Sequence, residues 1–175
     1  MQGPLERLRG GEVLVGDGAW GTMLMARGLR PGESPEALNL ENPAILAEIA
    51  ELYVEAGADF ITTNTFGGSA LNLRAHGLDD QIDEINRAAV EALGPVVADP
   101  RYISGSVGPS SRILTPFGDT EPEAVLDSFG RQVGPWFDGG GGVVCIVALV
   151  VGGGAVLALS AGGGVCGGMP VVGRM

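Results

Sequence analysis

The chain has 175 residues, a formal net charge of −11 and a sequence pI near 4.3. That length suits one domain with a sizeable core, and the acidic balance argues against nucleic acid as a partner. Two cysteines, Cys145 and Cys166, match neither a disulfide framework nor a C-x₂-C zinc pattern, which leaves a reduced, cytoplasmic setting as the default. The first residues carry Glu6, Arg7 and Arg9 and lack the apolar core of a signal peptide.

Charge divides the chain in two. All 21 acidic residues lie at or before Asp138, and no charged residue occurs from Gly139 to Gly173. The second part is rich in glycine and valine, so residues 1–138 and 139–175 are read separately.

Residues 1–12 form a polar leader with a short helix. Val13 to Val15 read as a buried strand, because β-branched residues suit a pleated, covered surface. The strand stops at Asp17, among Gly16, Gly18 and Gly21. A carboxylate at the C-terminal end of a buried parallel strand is where α/β proteins place binding groups; capping of the next turn is the alternative role. Asn42-Pro43 opens a helix, with Leu46, Ile49, Ala50, Tyr53 and Val54 on one face and Gly57 as its stop. Phe60 to Phe66 is a second strand that turns polar at Thr63, Asn64 and Thr65.

A short helix follows through Leu71 and Leu73, with His76 as a solvated residue at its end. The next helix carries Ile82, Ile85, Ala89 and Ala92 on one face. Tyr102 to Val107 is the third strand, running into the small polar rim Gly108-Pro109-Ser110-Ser111. Thr120-Glu121-Pro122-Glu123 matches a capping box, and the helix it opens carries Val125, Leu126, Phe129, Val133 and Phe137 on one face.

Three β-loop-α units with polar strand ends point to a (β/α)8 barrel or a doubly wound sheet. Gly16, Gly18 and Gly21 also match G-x-G-x-x-G, the basis of a nucleotide-binding alternative. Trp20 inside the turn, and the lack of an obvious helix opening at Gly21, argue against it.

Several segments together resemble one family, the homocysteine S-methyltransferase domain. They are Gly16 to Leu24, Glu55 to Asp59, Thr63 to Phe66, Glu84 to Ala89 and Ser106 to Ser110, in matching order over about residues 10–138. The similarity is greater to the methionine-synthase branch than to the betaine branch. It implies a (β/α)8 TIM-barrel fold whose rim holds a zinc ion; zinc binds the homocysteine sulfur as thiolate, the better nucleophile. By the same resemblance Asp17 lies near the substrate amino group, and Gly21 and Thr22 line the homocysteine pocket. Thr63, Asn64 and Thr65 form the rim after the second strand, and Gly108 and Ser110 belong to the rim after the third. Ser111 departs from the family's usual glycine. A methyl donor is the second substrate, with cobalamin possible through a separate domain or subunit.

Laid on the family, Val143 to Ile146 is the fourth strand and Met169 to Val172 enters the fifth, so the barrel is truncated after about five strands. Val147 stands where the family has a Glu that binds the substrate amine. The intervening helix region holds glycines at 152–154 and 162–164. Each interior glycine costs about 0.5–1 kcal/mol against alanine, so this helix should form poorly. We read 139–175 as a degraded Gly/Val-rich tail. Its uncharged run is long enough to span a bilayer, but glycine runs and the absence of a basic flank before Arg174 argue against that. The family's zinc cysteines follow later strands, so no residue here is assigned to metal and none to catalysis. The sequence thus implies methyl transfer to homocysteine giving methionine, inactive in this fragment alone. A non-catalytic half-barrel that self-associates through open sheet edges is the alternative.

Overall fold

The computed structural model describes residues 3–138, with side chains through 136, and the backbone of 143–151 and 154–161. Helix α1 (Pro4–Arg9) precedes the extended segment 13–17, and α2 (Trp20–Met25) and α3 (Leu38–Glu41) lead to the longer α4 (Pro43–Glu55). As expected, Asn42 stands at the α4 N-cap with Pro43 in the first turn, and Gly57 follows the helix with a φ of 95° that favours glycine. Leu46, Ile49 and Ala50 are buried along α4, joined by Ile45, while Tyr53 and Val54 pack against the core from its edge.

Strand β1 (Phe60–Thr62) follows. It is shorter than expected because the backbone turns at once: the Thr65 N–H donates to the Thr63 carbonyl (2.9 Å), and Gly68 N–H to that of Thr65 (2.9 Å). Helices α5 (Ala70–Leu73) and α6 (Ile82–Leu93) come next, then β2 (Tyr102–Val107) with the expected bounds. On α6, Ile82, Ile85 and Ala89 are buried, as is the polar Asn86. Strand β2 runs parallel to β1, with Tyr102 opposite Phe60. Helices α7 (Pro122–Val133) and α8 (Pro135–Asp138) precede β3 (Val143–Val151), which is parallel to β2, and β4 (Gly154–Ala161), which is antiparallel to β3. The sheet order is β1-β2-β3-β4.

Three expectations need correction. Segment 13–15 is not buried: Val13 is 83% and Val15 53% exposed. It does lie beside β1, with Phe60 N–H bonded to the Val15 carbonyl (3.1 Å) and Asp17 N–H to the Phe60 carbonyl (3.0 Å). An apolar strand is buried only where something packs over it, and no described residue covers this edge. Secondly, the place of the family's fourth helix, expected to form poorly in this chain, holds a strand instead, β4 across residues 154–161. Small and apolar residues continue the uncharged run of β3 into an antiparallel partner strand, where a helix would bear the cost of glycine in its interior. The described sheet is therefore α/β and parallel through β3, and does not close into a barrel; the expected fifth strand at 169–172 lies outside the described residues.

Thirdly, α7 starts one residue later than expected, with Glu121 as N-cap and Pro122 in the first turn. Thr120 is drawn instead into a bridge with Leu114, and its carbonyl accepts from Thr115 N–H (3.0 Å). The α7 face turned inward includes Ser128 and Gln132, leaving Leu126 exposed. Ser128 Oγ accepts the Leu71 N–H (3.0 Å), and Gln132 Nε2 donates to the Thr65 carbonyl (2.6 Å). Buried side chains that satisfy backbone groups of neighbouring loops override apolar periodicity.

An ion cluster lies at the N-terminal end of the sheet. Arg7 donates to Glu12 Oε2 (2.8 Å), to Asp59 Oδ1 (3.1 Å) and to the Pro100 carbonyl (3.1 Å), and its guanidinium sits 5.7 Å from the Tyr102 ring centre. Asp59 Oδ2 accepts the Val15 N–H (2.9 Å). That backbone hydrogen bond, followed by the one from Arg7, holds the Asp59 carboxyl below its usual range despite partial desolvation. A carboxylate depressed in the folded state stabilises the fold above its unfolded pKa, about 3.9, and loses that contribution as pH falls through the folded value. The D59N variant should therefore show a shallower loss of stability below about pH 4 than the unaltered chain, read as urea midpoints across a pH series. Equal slopes would refute the assignment.

Candidate functional site

The C-terminal ends of segment 13–17, β1 and β2 border one open cleft of about 820 Å³. Asp17 stands behind its wall, half-buried, and takes three hydrogen bonds. Trp20 Nε1 donates to Oδ2 (2.8 Å), the Thr62 N–H also donates to Oδ2 (2.7 Å), and the Thr62 hydroxyl donates to Oδ1 (2.6 Å). The loop is held from below by the Tyr53 hydroxyl, which donates to the Ala19 carbonyl (2.8 Å). Burial, then the nearby Asp17 charge, raise the Tyr53 pKa above its usual value, so it stays protonated and a donor. Gly18 lies over this ring: an added Cβ would come within 3.0 Å of the Tyr53 hydroxyl. Packing thus accounts for one glycine of the G-x-G-x-x-G spacing.

Gly21 lines the cleft, as do Thr63 and Asn64. Thr22 is exposed and outside the cleft lining; its carbonyl accepts the Ala26 N–H (3.0 Å). Thr63 Oγ1 lies 2.6 Å from Thr65 Oγ1 and accepts the Ser106 N–H (3.2 Å), while Thr65 Oγ1 donates to the Ser106 carbonyl (2.8 Å). The Thr65 proton is thereby committed to Ser106, so Thr63 is the donor within the pair. These hydroxyls tie the β1 end to β2, and Thr65 is fully buried behind the cleft. Asn64 Nδ2 donates to the Pro35 carbonyl (2.7 Å) and to Asn39 Oδ1 (2.8 Å), and Asn39 Nδ2 returns a bond to the Asn64 carbonyl (2.9 Å). Gly108 permits close backbone approach: its N–H donates to the Phe66 carbonyl (2.8 Å), and a Cβ would lie 2.6 Å from that oxygen. Ser110 is half-buried at the rim beside the cleft residues Pro109 and Ser111.

Other residues of the cleft escaped sequence reading. Trp20 and Thr62 hold Asp17. Glu36 is 5% exposed, accepting Gly67 N–H at Oε1 (2.7 Å) and the Ser34 hydroxyl at Oε2 (2.9 Å). Phe66, His76 and Arg112 stand around the opening. The one available signal was a large aromatic, Trp20, within a glycine-rich turn. Among the described residues no group of three or more His, Cys, Asp or Glu is placed to hold a metal ion. No helix among them is long and apolar enough to cross a membrane.

Residues 14–150 match the family model described as homocysteine S-methyltransferase. The chain belongs to the homocysteine S-methyltransferase family. It is 36% identical over 141 residues to a methionine synthase of Mycobacterium tuberculosis, and 36% identical over 143 residues to that of Mycobacterium leprae. Each alignment covers 73% of this chain, which spans 12% of the relative's length. Among solved structures, the homocysteine methyltransferase MmuM from Escherichia coli in its metallated form superposes with a TM-score of 0.65 at 26% identity, covering 84% of this chain and 57% of that one. The apo form gives a TM-score of 0.57. Methyl transfer to homocysteine is the reaction for which the family is named.

Proposed function

We propose that this chain supplies the amine-binding wall of a homocysteine S-methyltransferase barrel. The observation that carries the reading is Asp17, held by three donors beside a cleft that Gly21, Thr63 and Asn64 line. Asp17 accepts the substrate ammonium, and the backbone around Gly21 and Thr22 lies along the amino-acid part. Asn64, fixed by Asn39, and the Gly108 to Ser110 rim close the far side. In the reaction an S–CH₃ bond forms at the homocysteine sulfur, the donor–CH₃ bond breaks, and the thiol proton is lost. The described residues do not fit a zinc site. The family's zinc, and cobalamin if it carries the methyl group, would be held by parts beyond these residues. A thiol substrate accords with a reduced cytoplasmic setting.

The test is thermal unfolding of the chain with added homocysteine. Homocysteine should raise the midpoint, with a stabilisation of about 2.7 kcal/mol at a hundredfold excess over Kd. NAD should leave it unchanged. No response to homocysteine would overturn the reading, and a response to NAD instead would favour a nucleotide site.

One observation favours a second property. Val13 and Val15 are apolar and exposed on segment 13–17, and exposed apolar surface invites association between chains. Self-association through this segment is therefore part of the proposal.

A further inference from the structure

We infer that Trp20 is a positioning residue for amine recognition, its indole N–H fixing the Asp17 carboxylate so that Oδ1 keeps an acceptor direction for an ammonium group. This rests on the reading of Asp17 as the amine-binding carboxylate. Oδ2 takes two donors, Trp20 Nε1 at 2.8 Å and Thr62 N–H at 2.7 Å, whereas Oδ1 takes only the Thr62 hydroxyl at 2.6 Å. A carboxylate oxygen accepts two hydrogen bonds. Oδ2 is saturated, and Oδ1 has one direction left.

Trp20 suits the task because its ring is anchored. It packs against both the cluster around Ile61 and Trp136 and the cluster around Leu24 and Ile49. The backbone just before it is held by the Tyr53 hydroxyl on the Ala19 carbonyl. A donor fixed on both sides orients a charged partner without ordering cost at the moment of binding. The same residue lines the cleft, so one side chain offers an apolar wall and holds the charge behind it.

The experiment compares two ligands on two proteins. One ligand is homocysteine; the other is 4-mercaptobutanoate, the same molecule without its amine. W20F keeps a ring and removes the N–H. The expected result is homocysteine binding weakened on the order of tenfold in W20F, the value of a hydrogen bond to a charged group, with 4-mercaptobutanoate bound equally by both proteins. Equal losses for both ligands would mean that Trp20 merely packs, and would overturn the inference. A second readout needs no loaded site. The Trp20 indole N–H resonance of the unaltered chain should have the shift and slow solvent exchange of a hydrogen-bonded donor, and it should move in D17N and further in D17A. A resonance blind to both would also overturn the inference. If the unaltered chain binds neither ligand, the homocysteine reading fails, and the indole resonance alone decides whether Trp20 sets the Asp17 carboxylate.

Discussion

Replacing Trp136 with alanine should cost about 3–5 kcal/mol of folding stability, the range for deleting a large buried aromatic. A domain of this kind holds roughly 5–15 kcal/mol in total, so the variant should unfold at far lower urea or not fold at all. Trp136 is fully buried, and it joins Ala50, Ile61, Leu93, Ile103 and Val107 where α4, α6 and α8 meet the sheet. Its ring lies over Gly105, where an added Cβ would come 2.2 Å from Trp136 Cζ3. Glycine in a strand interior ordinarily weakens the strand; here it makes room for the indole. G105A should therefore also destabilise, by about 1–3 kcal/mol as an overpacked core does. W136F should cost less than W136A, because it keeps a ring and loses an N–H that has no partner among the described side chains. Equilibrium unfolding followed by circular dichroism distinguishes these cases. A W136A variant as stable as the parent would refute the placement of α8 against the sheet.

How much of this was legible in the sequence depends on what each element rests on. Helices α4 and α6 and strand β2 follow from local signals: a cap, a stop, a periodic apolar stripe. Those signals are contained in the elements themselves. Segment 13–15 has a strand's composition, yet its burial depends on whatever packs over it, which no local pattern encodes. The α7 face is legible only in part: Phe129 and Val133 pack against the core, but Leu126 is exposed and the inward side is shared by Ser128 and Gln132, which serve backbone groups of other loops. A polar residue facing inward looks solvent-facing until its distant partner is known. The site divides in the same way. Asp17, Asn64 and the Gly108 turn could be named from their strand ends and their motif context. Trp20 and Glu36 could not, since their roles consist of bonds to Asp17, Ser34 and Gly67 that only folding brings together. By type the hydroxyls of Thr63 and Thr65 suit either a ligand or hydrogen bonding at the start of a loop; in the fold both join β1 to β2, and Thr63 also lines the cleft.

The largest effect on ligand binding should come from D17N. Asparagine can be seated so that its oxygen replaces Oδ2 and accepts from Trp20 Nε1 and the Thr62 N–H, while its amide donates to the Thr62 hydroxyl, which now acts as acceptor. Both N–H donors that held Asp17 keep their acceptor, and the Thr62 hydroxyl keeps a bond to the side chain with donor and acceptor exchanged. The loop should therefore stay in place and the unfolding midpoint should barely move. What disappears is the charge. Homocysteine binding should weaken by about 1.5–3 kcal/mol, roughly a ten- to hundredfold rise in Kd, while 4-mercaptobutanoate should bind unchanged. D17A makes the complementary case. It removes the acceptor altogether and leaves the part-buried Thr62 N–H and Trp20 N–H unpaired, at about 1–3 kcal/mol for each donor left unsatisfied. Calorimetric titration and urea unfolding on the same two variants separate the effects: D17N should lose affinity and keep stability, and D17A should lose both. If D17N bound homocysteine as tightly as the parent, Asp17 would be only the tether of its loop, and the amine would have to be recognised elsewhere in the cleft.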